Sequence, residues 1–257
     1  LMNLEKAAAR AYKISESTYT AAASGGQQII NLLPICLKNC NSVTILGPTY
    51  NEYEKAFKSS GIKTQTVSEV SKLSSSDIAI IVNPNNPTGK VIADETLEDL
   101  SKKVRILIID ESFKMFSSRK TLNFSNIIQI NSLGKFFGLA GVRLGFVSGP
   151  SDFIKTVKEM LGPWPVSSLA AEIGIVALND RVWISEMEKL LVTESNALYE
   201  ACNSRNWELV GRTSLFHTYA TSSCLEVEKQ FAAHCIWVRT FDYSETWVCL
   251  LYTSPSP

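Results

Sequence analysis

Ile78-Ala79-Ile80-Ile81-Val82 runs directly into Asn83-Pro84-Asn85-Asn86-Pro87-Thr88-Gly89. The apolar run is short, β-branched and has no polar face, so it reads as a strand buried on both sides. The turn after it holds two prolines, which restrict the backbone and fix where its side chains point. Working outward, the same pattern recurs. Val43-Thr44-Ile45-Leu46 stops at Gly47-Pro48-Thr49-Tyr50. Val104-Arg105-Ile106-Leu107-Ile108-Ile109 stops at Asp110-Glu111-Ser112, and Ile127-Ile128-Gln129-Ile130 stops at Asn131-Ser132. Helical patterns over residues 53–59 and 94–103 separate the first three runs. Buried strands alternating with helices predict an α/β fold, with a mostly parallel sheet sandwiched by helices. Ligands of such sheets bind at the carboxyl ends of the strands, and every unusual polar motif here falls at one.

After Pro150 the pattern changes. Helices are expected over residues 152–161, 167–178 and 182–202, with Gly162-Pro163-Trp164-Pro165 as a break. From Trp207 short strands surround a helix near residues 226–234. The expected division is a large domain over residues 1–160 and a smaller α+β domain over 161–257.

The 257 residues carry 25 basic and 25 acidic side chains. A chain without net charge or a basic block offers no electrostatic reason to expect nucleic acid or an anionic membrane as partner. No apolar run reaches the roughly 18 residues of a membrane span. A charged helical pattern, not an apolar core, follows Leu1-Met2-Asn3-Leu4-Glu5-Lys6, so no secretory signal is expected. The six cysteines, among them Cys36 and Cys40 four apart on an expected helix, form no zinc-like set with histidine, so no metal is expected. They read as free buried thiols of a cytoplasmic protein. His217 and His234 read as structural.

The chemistry centres on Lys135, in Ser132-Leu133-Gly134-Lys135-Phe136-Phe137-Gly138-Leu139-Ala140-Gly141-Val142-Arg143. Apolar neighbours and a second cation both lower a lysine pKa, and a partly neutral amine forms Schiff bases. Ser132 and Arg143 are placed to hold an anion beside it. Gly25, Gly26 and Gln27 precede an apolar helical stretch over residues 29–37. They are either a phosphate cradle or a plain helix start capped by Ser24. Asp110 ends an otherwise apolar strand. It either pairs with a cationic ring nitrogen or caps a following helix. Asn86 offers an amide to a phenolate oxygen, unless its turn is merely structural. Tyr50 offers a stacking face, unless it is core packing. A Schiff-base lysine, an anion cup, an acid for a ring nitrogen, an amide for a ring oxygen and a stacking ring together describe pyridoxal 5'-phosphate.

With Asn86-Pro87-Thr88-Gly89, Asp110, Ser132-x-x-Lys135 and Arg143 in this order and spacing, the chain resembles the class I/II, fold type I, pyridoxal-phosphate aminotransferases. Gly47-Pro48-Thr49-Tyr50, Leu161-Gly162-Pro163-Trp164-Pro165-Val166-Ser167 and Ile236-Trp237-Val238-Arg239-Thr240-Phe241-Asp242 carry the likeness further. They point toward cobalamin-pathway threonine-phosphate decarboxylases and the similar histidinol-phosphate aminotransferases. The resemblance implies that Lys135 forms the Schiff base and moves the Cα proton. It implies Asp110 at the ring nitrogen, Asn86 at the ring hydroxyl, Tyr50 stacked, and Gly26, Gln27, Ser132 and Arg143 at the phosphate. Arg239 would grip the acidic group of a small phosphorylated amino acid, and the enzyme would be a cytoplasmic homodimer. The activity implied is decarboxylation of L-threonine O-3-phosphate. Transamination of the histidinol-phosphate kind, and a non-catalytic, truncated fragment that binds the cofactor, are the alternatives.

Three departures from the family pattern stand out. Phe113 replaces a tyrosine that many relatives carry three residues after the aspartate. An N-terminal arm that helps close the site in relatives is not found before residue 5. From about residue 249 the tail Cys249-Leu250-Leu251-Tyr252-Thr253-Ser254-Pro255-Ser256-Pro257 lacks the arginine expected within two residues of Trp247. It reads as atypical, either translated non-native sequence or a divergent natural tail.

Overall fold

The computed structural model describes residues 1–122, 125–205 and 207–251. The part of the atypical tail beyond residue 251 therefore lies outside the described residues. The chain opens with α1 (Met2–Ala11), whose Leu4, Ala7, Ala8 and Ala11 fall on one face at helical spacing and are buried. Then follow β1 (Tyr19–Ala23), α2 (Gly26–Cys36), β2 (Ser42–Leu46), α3 (Glu52–Ser59), β3 (Lys63–Val67), β4 (Ile78–Val82), α4 (Asp94–Ser101), β5 (Ile106–Asp110), β6 (Ile127–Ser132) and β7 (Gly145–Gly149). These strands form a seven-stranded sheet in the order β1-β7-β6-β5-β4-β2-β3. Strands β2 to β6 pair in parallel, while β7 runs antiparallel to both β6 and β1. The sheet is mostly parallel and mixed, with helices packed against it, as expected.

The four apolar runs became β2, β4, β5 and β6. Three strands lacked such a run. β3 lies at the sheet edge and exposes most of its side chains, so it needs no apolar face. β1 and β7, Tyr19-Thr20-Ala21-Ala22-Ala23 and Gly145-Phe146-Val147-Ser148-Gly149, are mainly small residues broken by a few large ones, and pair with each other at the opposite end. Small side chains there admit close packing. A Cβ on Gly145 would meet the backbone of Gly25 and Gly26 at 2.7 Å.

One core fills the side of the sheet under α2, α3 and α5 (Ser151–Leu161), with Ile45, Tyr53, Phe57, Ile80, Ile108 and Val147 buried together. The opposite side carries two cores. One lies under α4 and contains Leu97, Ile81 and Ile109. The other joins α1 to Phe113, Phe136 and Phe146 and to residues of the second half of the chain, including Leu178, Phe216 and Cys249.

The second half continues with α6 (Ser168–Asn179), α7 (Arg181–Asn203), β8 (Glu208–Arg212), β9 (Phe216–Ala220), α8 (Cys224–Ala232), β10 (Arg239–Phe241) and β11 (Ser244–Leu251). Ser167 and Asp180 cap the helices that follow them, accepting from the backbone N–H groups of Ala170 and Trp183. The four strands make a small antiparallel sheet, β10-β11-β9-β8. Residues 249–251 of the tail are the end of β11 and pair with β9 through Cys249–Thr218, Leu250–His217 and Leu251–Phe216.

The cysteine reading needs two corrections. α2 ends at Cys36, so Cys40 lies beyond the helix. All six thiols are free, but Cys235 is exposed and Cys36 only half-buried. His217, on β9, is buried; its Nε2 lies 2.7 Å from Ser195 Oγ and its Nδ1 lies 3.0 Å from Tyr219 Oη. Burial, helped by the Arg212 guanidinium, lowers its pKa from 6.5 to about 4. Between those values the unfolded chain binds the proton that the folded chain refuses, so stability falls as pH falls through that window. Thermal melting followed from about pH 6.5 down to about pH 4 is expected to drop more steeply for the wild type than for His217→Asn. Parallel curves would refute this account.

Candidate active site

The carboxyl ends of β1, β2, β4, β5 and β6 meet the start of β7 along one edge of the large sheet, and a cavity of about 180 Å³ opens there. Asn86, Asp110 and Ser132 reach it from the turns or ends of three neighbouring strands. Lys135 and Arg143 come from the loop that reverses the chain between β6 and β7. Gly26 and Gln27 open α2, and Tyr50 follows β2. Arg239 enters from the small sheet. Residues spread over more than 200 positions of sequence thus share one cavity.

Lys135 Nζ lies 5.3 Å from the centre of the Phe113 ring. Burial first, then the guanidinium of Arg239 and that of Arg143, push its pKa down, while the Asp110 carboxylate opposes them. A lysine desolvated in this way gives up its proton more readily than a surface lysine.

Gly25, not Ser24, is the N-cap of α2, and no side chain caps the helix there. The hydroxyl of Ser24 instead donates to Pro165 O at 2.7 Å. The serine-cap alternative is therefore corrected. Gly25 adopts a left-handed φ of 87°, and a Cβ on it would meet Arg143 Nη2 at 2.7 Å. The glycine thus lets a guanidinium lie against a helix N-terminus, a combination suited to an anion. Arg143 itself holds left-handed backbone angles, φ 57° and ψ 57°, which a non-glycine residue adopts only when its surroundings enforce them.

Asp110 is buried, and no helix follows it; the chain turns through residues 112 and 113. The helix-cap alternative is therefore also corrected. Its Oδ1 accepts from Ser112 N at 2.9 Å and its Oδ2 from the Tyr53 hydroxyl at 2.7 Å. Tyr53 was not singled out in the sequence. The only signal was its helical spacing three residues after Tyr50, which a plain core tyrosine shares. In the Asn83–Gly89 turn the labour divides. Asn83 exchanges hydrogen bonds with Ile92, and Asn85 Nδ2 donates to Pro48 O and Thr88 Oγ1. Asn86 is left lining the cavity. The far side of the turn packs on the small sheet, where a Cβ on Gly211 would overlap the Thr88 carbonyl.

The Tyr50 hydroxyl donates to Gln27 Oε1 at 3.1 Å, and the Arg239 guanidinium lies 5.4 Å from the Tyr50 ring centre. Tyr50 therefore joins the two sheets across the cavity as well as lining it. Arg239 pairs with Cys249 across β10 and β11, so the two share one face of the small sheet. The position where a second arginine was looked for is thus a buried thiol beside the first.

Behind the cavity lies a buried ionic cluster that the sequence did not disclose. Glu111 receives Lys114 Nζ at 2.6 Å and Arg119 Nη1 at 3.0 Å. Arg119 also donates to Asn131 Oδ1 and to the carbonyls of Glu111 and Lys114. Its guanidinium stacks 4.7 Å from the centre of the Tyr12 ring at the end of α1. Glu111 follows Asp110 and Asn131 precedes Ser132, so the cluster ties together the two strand ends that carry site residues.

The sequence matches the family Aminotransferase class I and II over residues 1–238. A threonine-phosphate decarboxylase from Pseudomonas aeruginosa is 32% identical over 232 residues, covering 85% of this chain and 69% of that protein. In fold, the histidinol-phosphate aminotransferase from Clostridium acetobutylicum matches with a TM-score of 0.86 at 22% identity, covering 99% of this chain and 84% of that one. The histidinol-phosphate aminotransferase from Sinorhizobium meliloti, solved in complex with pyridoxal-5'-phosphate, matches with a TM-score of 0.83 at 15% identity over 99% of this chain and 77% of that one. Matched along most of its length, the chain belongs to the class I and II aminotransferases.

Proposed function

We propose that this chain is a pyridoxal-phosphate enzyme that decarboxylates L-threonine O-3-phosphate to (R)-1-amino-2-propanol O-2-phosphate, a step of cobalamin biosynthesis. One observation carries the reading: Lys135, Asp110, Asn86, Ser132, Arg143 and Arg239 converge on a single cavity at the carboxyl edge of the sheet. The 32% identity to a threonine-phosphate decarboxylase supports this substrate.

The residues present fit the cofactor. The open N-terminus of α2 and the Arg143 guanidinium beside Gly25 suit its phosphate, with Ser132 close by. Asp110 supplies a buried carboxylate for the ring nitrogen, Asn86 an amide for the ring hydroxyl, and Tyr50 an aromatic face. When bound, pyridoxal phosphate supplies an aldehyde for Schiff-base chemistry and an electron sink for the bond broken at Cα. Lys135 holds or delivers the proton at Cα, where a proton replaces the departing CO₂. Arg239 orients the substrate through its acidic group. Which bond breaks depends on which one stands perpendicular to the ring, so orientation by side chains such as Arg239 decides between loss of CO₂ and transamination.

The division into domains 1–160 and 161–257 fits this reading, because the smaller part contributes the substrate side of the cavity through Arg239. A cytoplasmic homodimer is part of the same proposal. The exposed apolar side chains of Leu169 and Val176 on α6 support self-association. Among the described residues, no helix is long and apolar enough to cross a membrane.

The test is product analysis after loading with pyridoxal phosphate. CO₂ and an amino-alcohol phosphate, with no keto product, are expected from L-threonine O-3-phosphate. Turnover of histidinol phosphate with a keto acid as amino acceptor would replace this reading by the transaminase one. Cofactor binding without turnover of either substrate would leave a non-catalytic fragment.

A further inference from the structure

We infer that Tyr53 is a positioning residue of the active site, holding the Asp110 carboxylate in the orientation that receives the cofactor ring nitrogen. The inference rests on the pyridoxal-phosphate reading above and adds to it a residue from α3 that does not line the cavity. Tyr53 has no exposed surface, and its hydroxyl donates to Asp110 Oδ2 at 2.7 Å. On the other side of the same carboxylate, Ser112 N donates to Oδ1 at 2.9 Å. One donor on each oxygen fixes the plane of the group. A carboxylate oxygen accepts more than one hydrogen bond, so each keeps acceptor capacity for a donor in the cavity that Asp110 lines.

The two donors differ in kind. Ser112 N belongs to the turn immediately after β5 and is present whatever residue stands there. The Tyr53 hydroxyl reaches Asp110 across 57 positions of sequence, from a helix anchored in the core with Phe57 and Ile80. A phenylalanine would fill the same core volume. The hydroxyl therefore adds nothing to apolar packing, and Asp110 is the acceptor that it meets. Short hydrogen bonds to a charged acceptor are the stronger class, and pre-set geometry at a buried site spares the ligand the cost of ordering its partner.

The experiment uses the full chain and pyridoxal phosphate itself, titrated by its visible absorbance into wild type, Tyr53→Phe, Asp110→Asn and the double variant. Tyr53→Phe is expected to weaken cofactor binding by about tenfold. In the Asp110→Asn background the same change is expected to alter affinity by less than about twofold, because the group it positions is no longer a carboxylate. Tyr53→His, which restores an N–H donor, is expected to recover part of the loss. Melting without cofactor is measured for each variant. Equal losses of affinity in both backgrounds, following the melting temperature, would show a merely structural tyrosine and overturn the inference. So would wild-type affinity in Tyr53→Phe. Should Tyr53→Phe not fold, Tyr53→His decides: near wild-type affinity upholds the inference, and a loss that persists in Asp110→Asn overturns it. Lack of a lysine-dependent absorbance band in the wild type would instead sink the pyridoxal-phosphate reading, and this inference with it.

Discussion

Lys135→Ala is expected to abolish the visible absorbance that pyridoxal phosphate gains on binding and to lower kcat by about 10⁴-fold or more. The amine is the nucleophile that joins the cofactor and the base that serves Cα, so one substitution removes two functions. The phosphate cup of Gly25, Gly26, Ser132 and Arg143 is untouched. The cofactor should therefore still bind, non-covalently and without the shifted band. Burial and the nearby Arg239 and Arg143 guanidinium groups already hold the lysine pKa down. A desolvated lysine costs the native state stability in full below its lowered pKa, and the cost fades as pH rises from there toward the ordinary lysine value. Lys135→Ala is thus expected to melt no earlier than wild type, and slightly later under acid conditions. Absorbance titration, single-turnover kinetics and melting measured together check this. An unchanged band in the alanine variant would remove Lys135 from the chemistry altogether.

Glu111→Ala carries the largest expected effect on stability, about 3–5 kcal/mol. Glu111 is almost wholly buried and faces two cations, Lys114 at 2.6 Å and Arg119 at 3.0 Å, themselves buried. Removing the carboxylate leaves two positive charges in a place where water cannot compensate for it. Glu111→Gln keeps the shape and some of the hydrogen bonds, so its loss is expected to be smaller. Because the cluster also holds Asn131 and the backbone of residue 111, cofactor affinity should fall with stability, unlike the selective loss expected at Tyr53. Urea unfolding at constant pH measures the difference. A change below about 1 kcal/mol would mean that the cluster contributes little net energy, as exposed ion pairs do.

How much of this was legible beforehand follows from the range of each interaction. The strands β2, β4, β5 and β6 were readable because a β-branched run followed by a turn is a local signal. The chemistry-bearing side chains were readable because each stands out within a few residues of its neighbours: a lysine between glycines and phenylalanines, an aspartate at the end of an apolar run, an asparagine in a proline-locked turn. Strands β1, β3 and β7 were not, since small or polar residues form strands only when a paired neighbour supplies the hydrogen bonds.

The two helix-capping alternatives show the same limit from the other side. Ser24 and Asp110 each had a sequence that suited a cap, yet the hydroxyl of Ser24 turned to Pro165 and Asp110 to Tyr53 and Ser112. Pro165 lies 141 positions from Ser24 and Tyr53 lies 57 from Asp110, beyond any local window.

By itself, then, the sequence determined the fold class, the edge of the sheet where chemistry gathers and the kinds of side chain found there, because hydrophobic period and turn composition act over a few residues. Tertiary structure alone decided the antiparallel course of β7, the buried Glu111–Arg119 cluster, the clasp of Tyr53 on Asp110 and the approach of Arg239 from the small sheet. Those depend on which distant surfaces are buried against one another, and burial is a property of the whole chain.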